Sequence, residues 1–146
     1  MKRALTILIC LVFLVSGLIR IGVSTLMIGQ AMGWWVFGGE AVEALADTQR
    51  FIAERDHNLI GFTPLSYFAF IMFMGVTISL GSVGQLLGKK WGLPLIGVYL
   101  LSHGALFINF MTVNPKIFLW ALSVIAAAIL YWASRPKSYE TGMPAH

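Results

Sequence analysis

An arginine, Arg20, stands inside the otherwise apolar stretch GLIRIGVSTLMIGQ. If that stretch crosses a bilayer, a lipid-facing guanidinium would cost about 2.5–3.5 kcal/mol at the membrane centre on insertion scales, and less toward the interface. Arg20 therefore needs partners, and its five N–H donors suit oxygen acceptors. Ser24 lies one turn further along the same helical face. Tyr67, His103 and Asn109 are the polar residues of other apolar runs that could reach the same region. A histidine or tyrosine beside an asparagine can hydrogen-bond the carbonyl oxygens of a quinone while apolar rings cover its head. No acid lies within any of the apolar runs. The candidates to meet Arg20 are thus Asn109, Tyr67, backbone carbonyls, a loop acid such as Glu40 or Glu43, or a bound anionic or carbonyl ligand. A helix-capping or loop-docking role for Arg20 is the alternative that needs no ligand.

Other chemistries find less support. A b-type haem bridging helices wants two axial ligands, but His103 is the one histidine inside an apolar run; His57 falls in a loop and His146 is the last residue. Quinone fits these residues better than haem, which would need a ligand from another chain. The single cysteine, Cys10, excludes an intrachain disulfide, a CxxC pair and a thiolate cage, and its apolar surroundings suit a small buried hydrophobe. The methionines of FAFIMFM read as packing residues, not metal ligands. There is no phosphate-binding glycine loop, HExxH or GxSxG. No catalytic residue, metal or obligatory cofactor is predicted.

These residues are positioned by membrane helices. The chain has 146 residues, 58% of them hydrophobic and only 11% charged, against roughly a quarter charged in soluble domains. Four apolar runs, at about 4–28, 64–87, 93–111 and 115–133, approach the ~20 residues needed to cross ~30 Å of hydrocarbon. They form one membrane domain, an all-α four-helix bundle with a loop at 30–62 and a tail at 134–146. In FTPLSY, Thr63 is the expected N-cap with Pro64 at the first helical position, and TVNPKIF repeats the pattern with Asn114 and Pro115. GKKWG is a tight hairpin. Small-xxx-small spacing at Gly75 and Ser79, then Gly84 and Gly88, marks a helix-packing face. At about 1.5 Å per residue, Arg20 stands about 24 Å along the first span from Ala4, and Asn109 about 24 Å along the third from Leu93. On that count Arg20, Ser24, Tyr67 and Asn109 share a level, with His103 nearer the midplane.

Charge sets the expected orientation. With the N-terminus inside, the cytoplasmic segments hold Lys2, Arg3, Lys89, Lys90, Arg135 and Lys137, and the outer ones Arg50, Arg55 and Lys116. That asymmetry gives both termini inside by the positive-inside rule. The basic residues form no stripe of the kind that binds nucleic acid. MKR before ALTILICLVFLV resembles a signal peptide, but no small-x-small cleavage site follows cleanly and the apolar run continues past Arg20, so an uncleaved signal-anchor is expected. In the first outer loop, GGEAVEALADTQRFIAERDHN predicts an amphipathic helix. Val42, Leu45, Gln49 and Ile52 would lie on one side, with Glu43, Asp47, Arg50 and Glu54 on the other, the last two as an i,i+4 pair. It would lie on the membrane surface or over the bundle, beside an interfacial Trp34–Trp35 pair.

Arginine in GLIRIGVSTLMIGQ, the glycine-bearing loop with its short helix, and SLGSVGQLLGKKWG before a third span together resemble the DoxX-like superfamily of small four-helix bacterial membrane proteins. The likeness runs along nearly the whole chain. Where that family commonly carries a lysine after the first span and an acid in the second, this chain reads AMGWW and FAFIMFM. The resemblance implies a multi-pass protein of the bacterial inner membrane, a small helper or redox-associated subunit, with Arg20 the residue carried over. The expected function is accordingly a non-catalytic accessory subunit, its partner another membrane protein or a second copy. A quinone-associated redox protein is the alternative. A small-molecule permease ranks last, because prolines fall only at span ends and no inverted repeat is evident.

Overall fold

The computed structural model describes residues 2–54, 59–111 and 115–134. Five helices follow in order: α1 (Lys2–Ala31), α2 (Glu40–Ala53), α3 (Pro64–Leu86), α4 (Gly92–Phe110) and α5 (Lys116–Ser134). No strand occurs among the described residues. All but α2 are long and apolar enough to cross a bilayer, and the chain is a multi-pass helical membrane protein. Hydrocarbon offers backbone groups no partner, so each crossing segment must bond to itself as a helix. Outward-facing residues such as Leu101 and Phe118 remain about three-quarters exposed (75% and 76%), as lipid-facing side chains do.

Local chemistry sets the helix ends. Thr63 and Ser66 form a reciprocal capping box at the start of α3, with Pro64 in its first turn. At the other end, the Lys89 amide donates to the Gly84 carbonyl at 2.8 Å and the Gly88 amide to Gln85 at 3.1 Å. This is a Schellman closure; it requires a left-handed residue at Gly88, whose φ is 66°. Gly88 is therefore a turn residue, and it has no packing neighbour within 4 Å of where a Cβ would stand. Pro115 stands in the turn just ahead of α5 and its carbonyl accepts from Phe118. The expected cap Asn114 lies outside the described residues, as do Arg55, Asp56, His57, Arg135, Lys137 and His146.

The helices close into a ring in which α1 packs most extensively on α3, α3 on α4, α4 on α5, and α5 more sparsely on α1. The α1–α3 seam is a backbone approach. A Cβ on Gly17 would strike the Ser79 hydroxyl and stand 2.8 Å from the Gly75 carbonyl, and one on Gly75 would stand 2.9 Å from the Gly17 carbonyl. Gly84 receives the Trp91 ring. Gly75, Ser79 and Gly84 thus serve packing within the chain. Cys10, Phe13, Met74, Ile78, Ile96, Tyr99 and Leu130 form the core.

Between α1 and α3 the chain folds over the end of the bundle where α2 lies. The Trp35 indole donates to the Leu26 carbonyl at 3.0 Å and its ring fills the space above Gly29, while Trp34 is exposed. The half-buried side of α2 is Ala41, Ala44, Leu45, Thr48, Phe51 and Ile52, whereas Val42 and Gln49 point outward. The expected face was off by part of a turn: Leu45 and Ile52 lie on the half-buried side, Val42 and Gln49 do not. Arg50 pairs with Asp47 at 3.8 Å, one turn back, while Glu54 caps the helix.

Candidate functional site

A cavity of about 770 Å³ occupies the centre of the ring toward the α2 end. Helix α1 offers it Ile9, Phe13, Ser16 and Arg20, a stripe at three- and four-residue spacing; α4 offers Tyr99, His103, Leu106, Phe107 and Phe110 at the same rhythm. Tyr67, Ile71 and Met74 come from α3, while Lys116, Leu119, Leu122 and Ser123 come from α5. Thr48 and Phe51 of α2 close the end. Phe51 lies 5.0 Å from the Phe110 ring centroid, and Phe110 lies 5.7 Å from Phe62 and 6.0 Å from Tyr67. Aromatic rings therefore roof the cavity.

Its polar groups form a chain. The Arg20 Nη2 donates to the Tyr99 hydroxyl at 3.3 Å, and that hydroxyl lies 3.3 Å from His103 Nδ1. A phenol can accept from the guanidinium and still donate to Nδ1, provided the imidazole carries its proton on Nε2. The guanidinium carbon also stands 5.5 Å from the Tyr99 ring centroid, within cation–π reach. Phe107 stacks on His103 at 5.3 Å and 22°. No carboxylate pairs with Arg20 among the described residues, and none lines the cavity. Glu40, one of the expected partners, borders a separate hollow with Leu26, Met27, Phe37 and Ala41. Arg20 and Lys116 are the two basic side chains that line the cavity. Among the described residues Arg20 makes one hydrogen bond, to the Tyr99 hydroxyl, which leaves further donors for an oxygen-bearing ligand.

Of the residues singled out in the sequence, Arg20, Tyr67 and His103 meet in this cavity. Asn109 does not. It is buried, its Oδ1 accepts from the Ile60 amide at 2.7 Å, and its Nδ2 donates to the Ile60 carbonyl at 3.2 Å. Asn109 is a clamp on the chain ahead of α3. Six residues from His103 amount to about 600°, roughly 120° short of two turns, so it faces another way. Ser24 is also buried, but it does not line the cavity, and its hydroxyl has no hydrogen-bond partner among the described residues. Tyr99, Ser16, Ser123 and Lys116 also line the cavity but were not singled out as site residues in the sequence. Tyr99 and His103 at i,i+4, like Ser16 and Arg20, were the available signal.

Among the described residues, no three His, Cys, Asp or Glu side chains cluster as a metal site. Compared with known proteins, the chain matches no family model, and neither a curated protein nor a solved structure shows significant similarity to it. The cavity is the feature of the chain suited to a ligand. It can hold an amphipathic molecule whose head accepts hydrogen bonds from Arg20 and the Tyr99–His103 pair and whose remainder is hydrocarbon. Apolar lining with a few convergent polar groups is the usual form of a small-molecule site.

Proposed function

We propose that this chain is a membrane protein that binds a quinone-type lipid, with its carbonyl head at Arg20, Tyr99 and His103. One observation carries the reading: an intramembrane arginine, without a carboxylate partner among the described residues, lines an apolar cavity beside a tyrosine and a histidine. A charge so placed is costly unless something meets it, and intramembrane ionisable groups mark functional sites for that reason. Tyr99 supplies a hydrogen bond and a ring face; a ligand oxygen would supply the rest. The DoxX-like resemblance supports the same direction, since some members of that superfamily are partners of quinone-linked oxidoreductases.

The proposed setting is the bacterial inner membrane with both termini cytoplasmic, supported by six basic residues on the inner segments against three on the outer ones. A second reading places the same chain as an accessory subunit of a larger membrane complex. It is favoured by α5, whose one fully buried residue is Leu130 and whose outer face is apolar along its length. The two readings are compatible, since a subunit can hold a lipid for its complex.

The test is titration of decylubiquinone into nanodisc-reconstituted protein, read as quenching of tryptophan fluorescence. Saturable quenching in the native chain, lost in Arg20→Leu, is expected. Identical, non-saturating quenching in both would sink the reading. Co-elution of a stoichiometric protein partner in mild detergent tests the second.

A further inference from the structure

We infer that the bound lipid's tail leaves the cavity sideways between α1 and α5, so that this seam is the portal through which the ligand exchanges with the bilayer. The inference rests on the ligand-binding reading above and adds to it the substrate class, a molecule with a hydrocarbon tail that never passes through water. Three seams of the ring are sealed. Gly17 and Gly75 bring backbones together between α1 and α3. Gly92 sits against the backbone of Gly84 and Gln85 between α3 and α4. The Trp120 indole donates to the Leu100 carbonyl at 2.9 Å between α4 and α5.

The fourth seam is built differently. The two helices run antiparallel, and Lys2 Nζ stands 4.1 Å from the Trp132 ring centroid, which fixes their register at the end opposite α2. Ten residues along α1 and ten back along α5 then bring Val12 level with Leu122, about 15 Å from that contact. A further turn or two brings Arg20 near the level of the first residue of α5, Lys116. All four side chains line the cavity. Yet Val12 and Leu122 are also 60% and 62% exposed. Residues that border the interior and face outward at once mark an open wall. The edges of this opening are aliphatic below, and Arg20 stands at its upper end. That order matches a lipid lying with its oxygens at Arg20 and its chain in hydrocarbon. The alternative route, toward the water at the α2 end, is covered by Phe51, Phe62 and Phe110.

The experiment joins the seam and measures exchange. Val12→Cys and Leu122→Cys are placed together in a Cys10→Ala background, reconstituted in nanodiscs, and bridged with thiol-reactive linkers of graded length; Leu8→Cys with Ala126→Cys is a second pair at another level. Dissociation of decylubiquinone and of a tail-less benzoquinone is then followed by fluorescence recovery. Bridging is expected to slow release of the tailed quinone by about tenfold or more while leaving the tail-less one unchanged. Binding that persists with unchanged release of both, or with equal slowing of both, overturns the portal and leaves the site standing. Failure of both pairs to bridge at any linker length contradicts the register and overturns it too. Absence of saturable binding before bridging removes the site itself, and the portal with it.

Discussion

Arg20 and Tyr99 lie 79 positions apart in the chain and share a hydrogen bond of 3.3 Å inside a wall of apolar side chains. Tyr99 also stands 3.3 Å from His103, so one phenol joins a permanent cation to an imidazole. The phenol is the pivot of the site. It gives the guanidinium a neutral acceptor, and among the described residues no carboxylate pairs with Arg20.

Arg20→Leu separates the two roles open to this residue. A docking arginine stabilises the fold, so its loss should lower the thermal midpoint. A ligand arginine is a cost to the empty protein, of a size below the about 2.5–3.5 kcal/mol quoted for the bilayer centre. We expect the thermal midpoint in detergent to stay level or rise, while decylubiquinone binding is lost. A large drop in midpoint would assign Arg20 to structure.

Tyr99→Phe should act through both neighbours. Hydrogen bonds between membrane helices average about 0.6 kcal/mol by double-mutant cycles, so a small stability loss is expected, with weaker ligand binding. In the Tyr99→Phe background, His103→Leu should add little to the binding defect. Groups that act as one unit are non-additive; full additivity of the two losses would show that Tyr99 and His103 work separately.

The membrane helices were legible because the signals that make them are local. A run of apolar residues and Thr63 before Pro64 act along the local chain, whereas Gly88, read as a packing residue, is a turn residue with φ 66°. The observed ends of the four long helices fall within three residues of the expected ones. Arg20, Tyr67 and His103, which line the cavity, stood out in the sequence because a polar group in an apolar run needs a reason. Asn109 was assigned by height along its helix without its angle around it, and its partner, the Ile60 backbone, left no trace in the sequence. Tyr99 was missed because an aromatic in GVYLLSHG reads as filler until the arginine from another helix arrives beside it.

Asn109→Ala should free the segment ahead of α3. Two hydrogen bonds to Ile60 disappear, and because Ile60 is largely exposed each costs about 0.5–1.5 kcal/mol, as an ordinary hydrogen bond does. Hydrogen exchange should rise at the amides from Ile60 to Thr63 and leave the centre of α4 protected. Ligand affinity should change less than in Arg20→Leu, because Asn109 does not line the cavity. Unaltered exchange at Ile60 would remove the clamp.

Orientation is testable with single cysteines in a Cys10→Ala background. Glu43→Cys and Lys90→Cys lie on opposite ends of the bundle, in α2 and in the α3–α4 hairpin. With both termini inside, an impermeant maleimide added to intact cells should label Glu43→Cys and reach Lys90→Cys only after lysis. The reverse pattern would invert the protein, and with it the side on which the site lies.

Gly17→Ala tests the tightest seam. The new Cβ meets the Ser79 hydroxyl, which can rotate, but it also stands 2.8 Å from the Gly75 carbonyl, which belongs to a helix backbone and cannot. Overpacking of this kind costs about 1–3 kcal/mol. A lower thermal midpoint is therefore expected in Gly17→Ala, and adding Ser79→Gly should recover only part of it, because the carbonyl remains. Gly22→Ala is the matched control, since nothing stands within 4 Å of its Cβ position and alanine favours the helix. Equal midpoints for the two variants would mean that α1 and α3 do not approach through Gly17. The sealed side of the ring would then need another explanation, as would the opening of the cavity on the opposite side of α1.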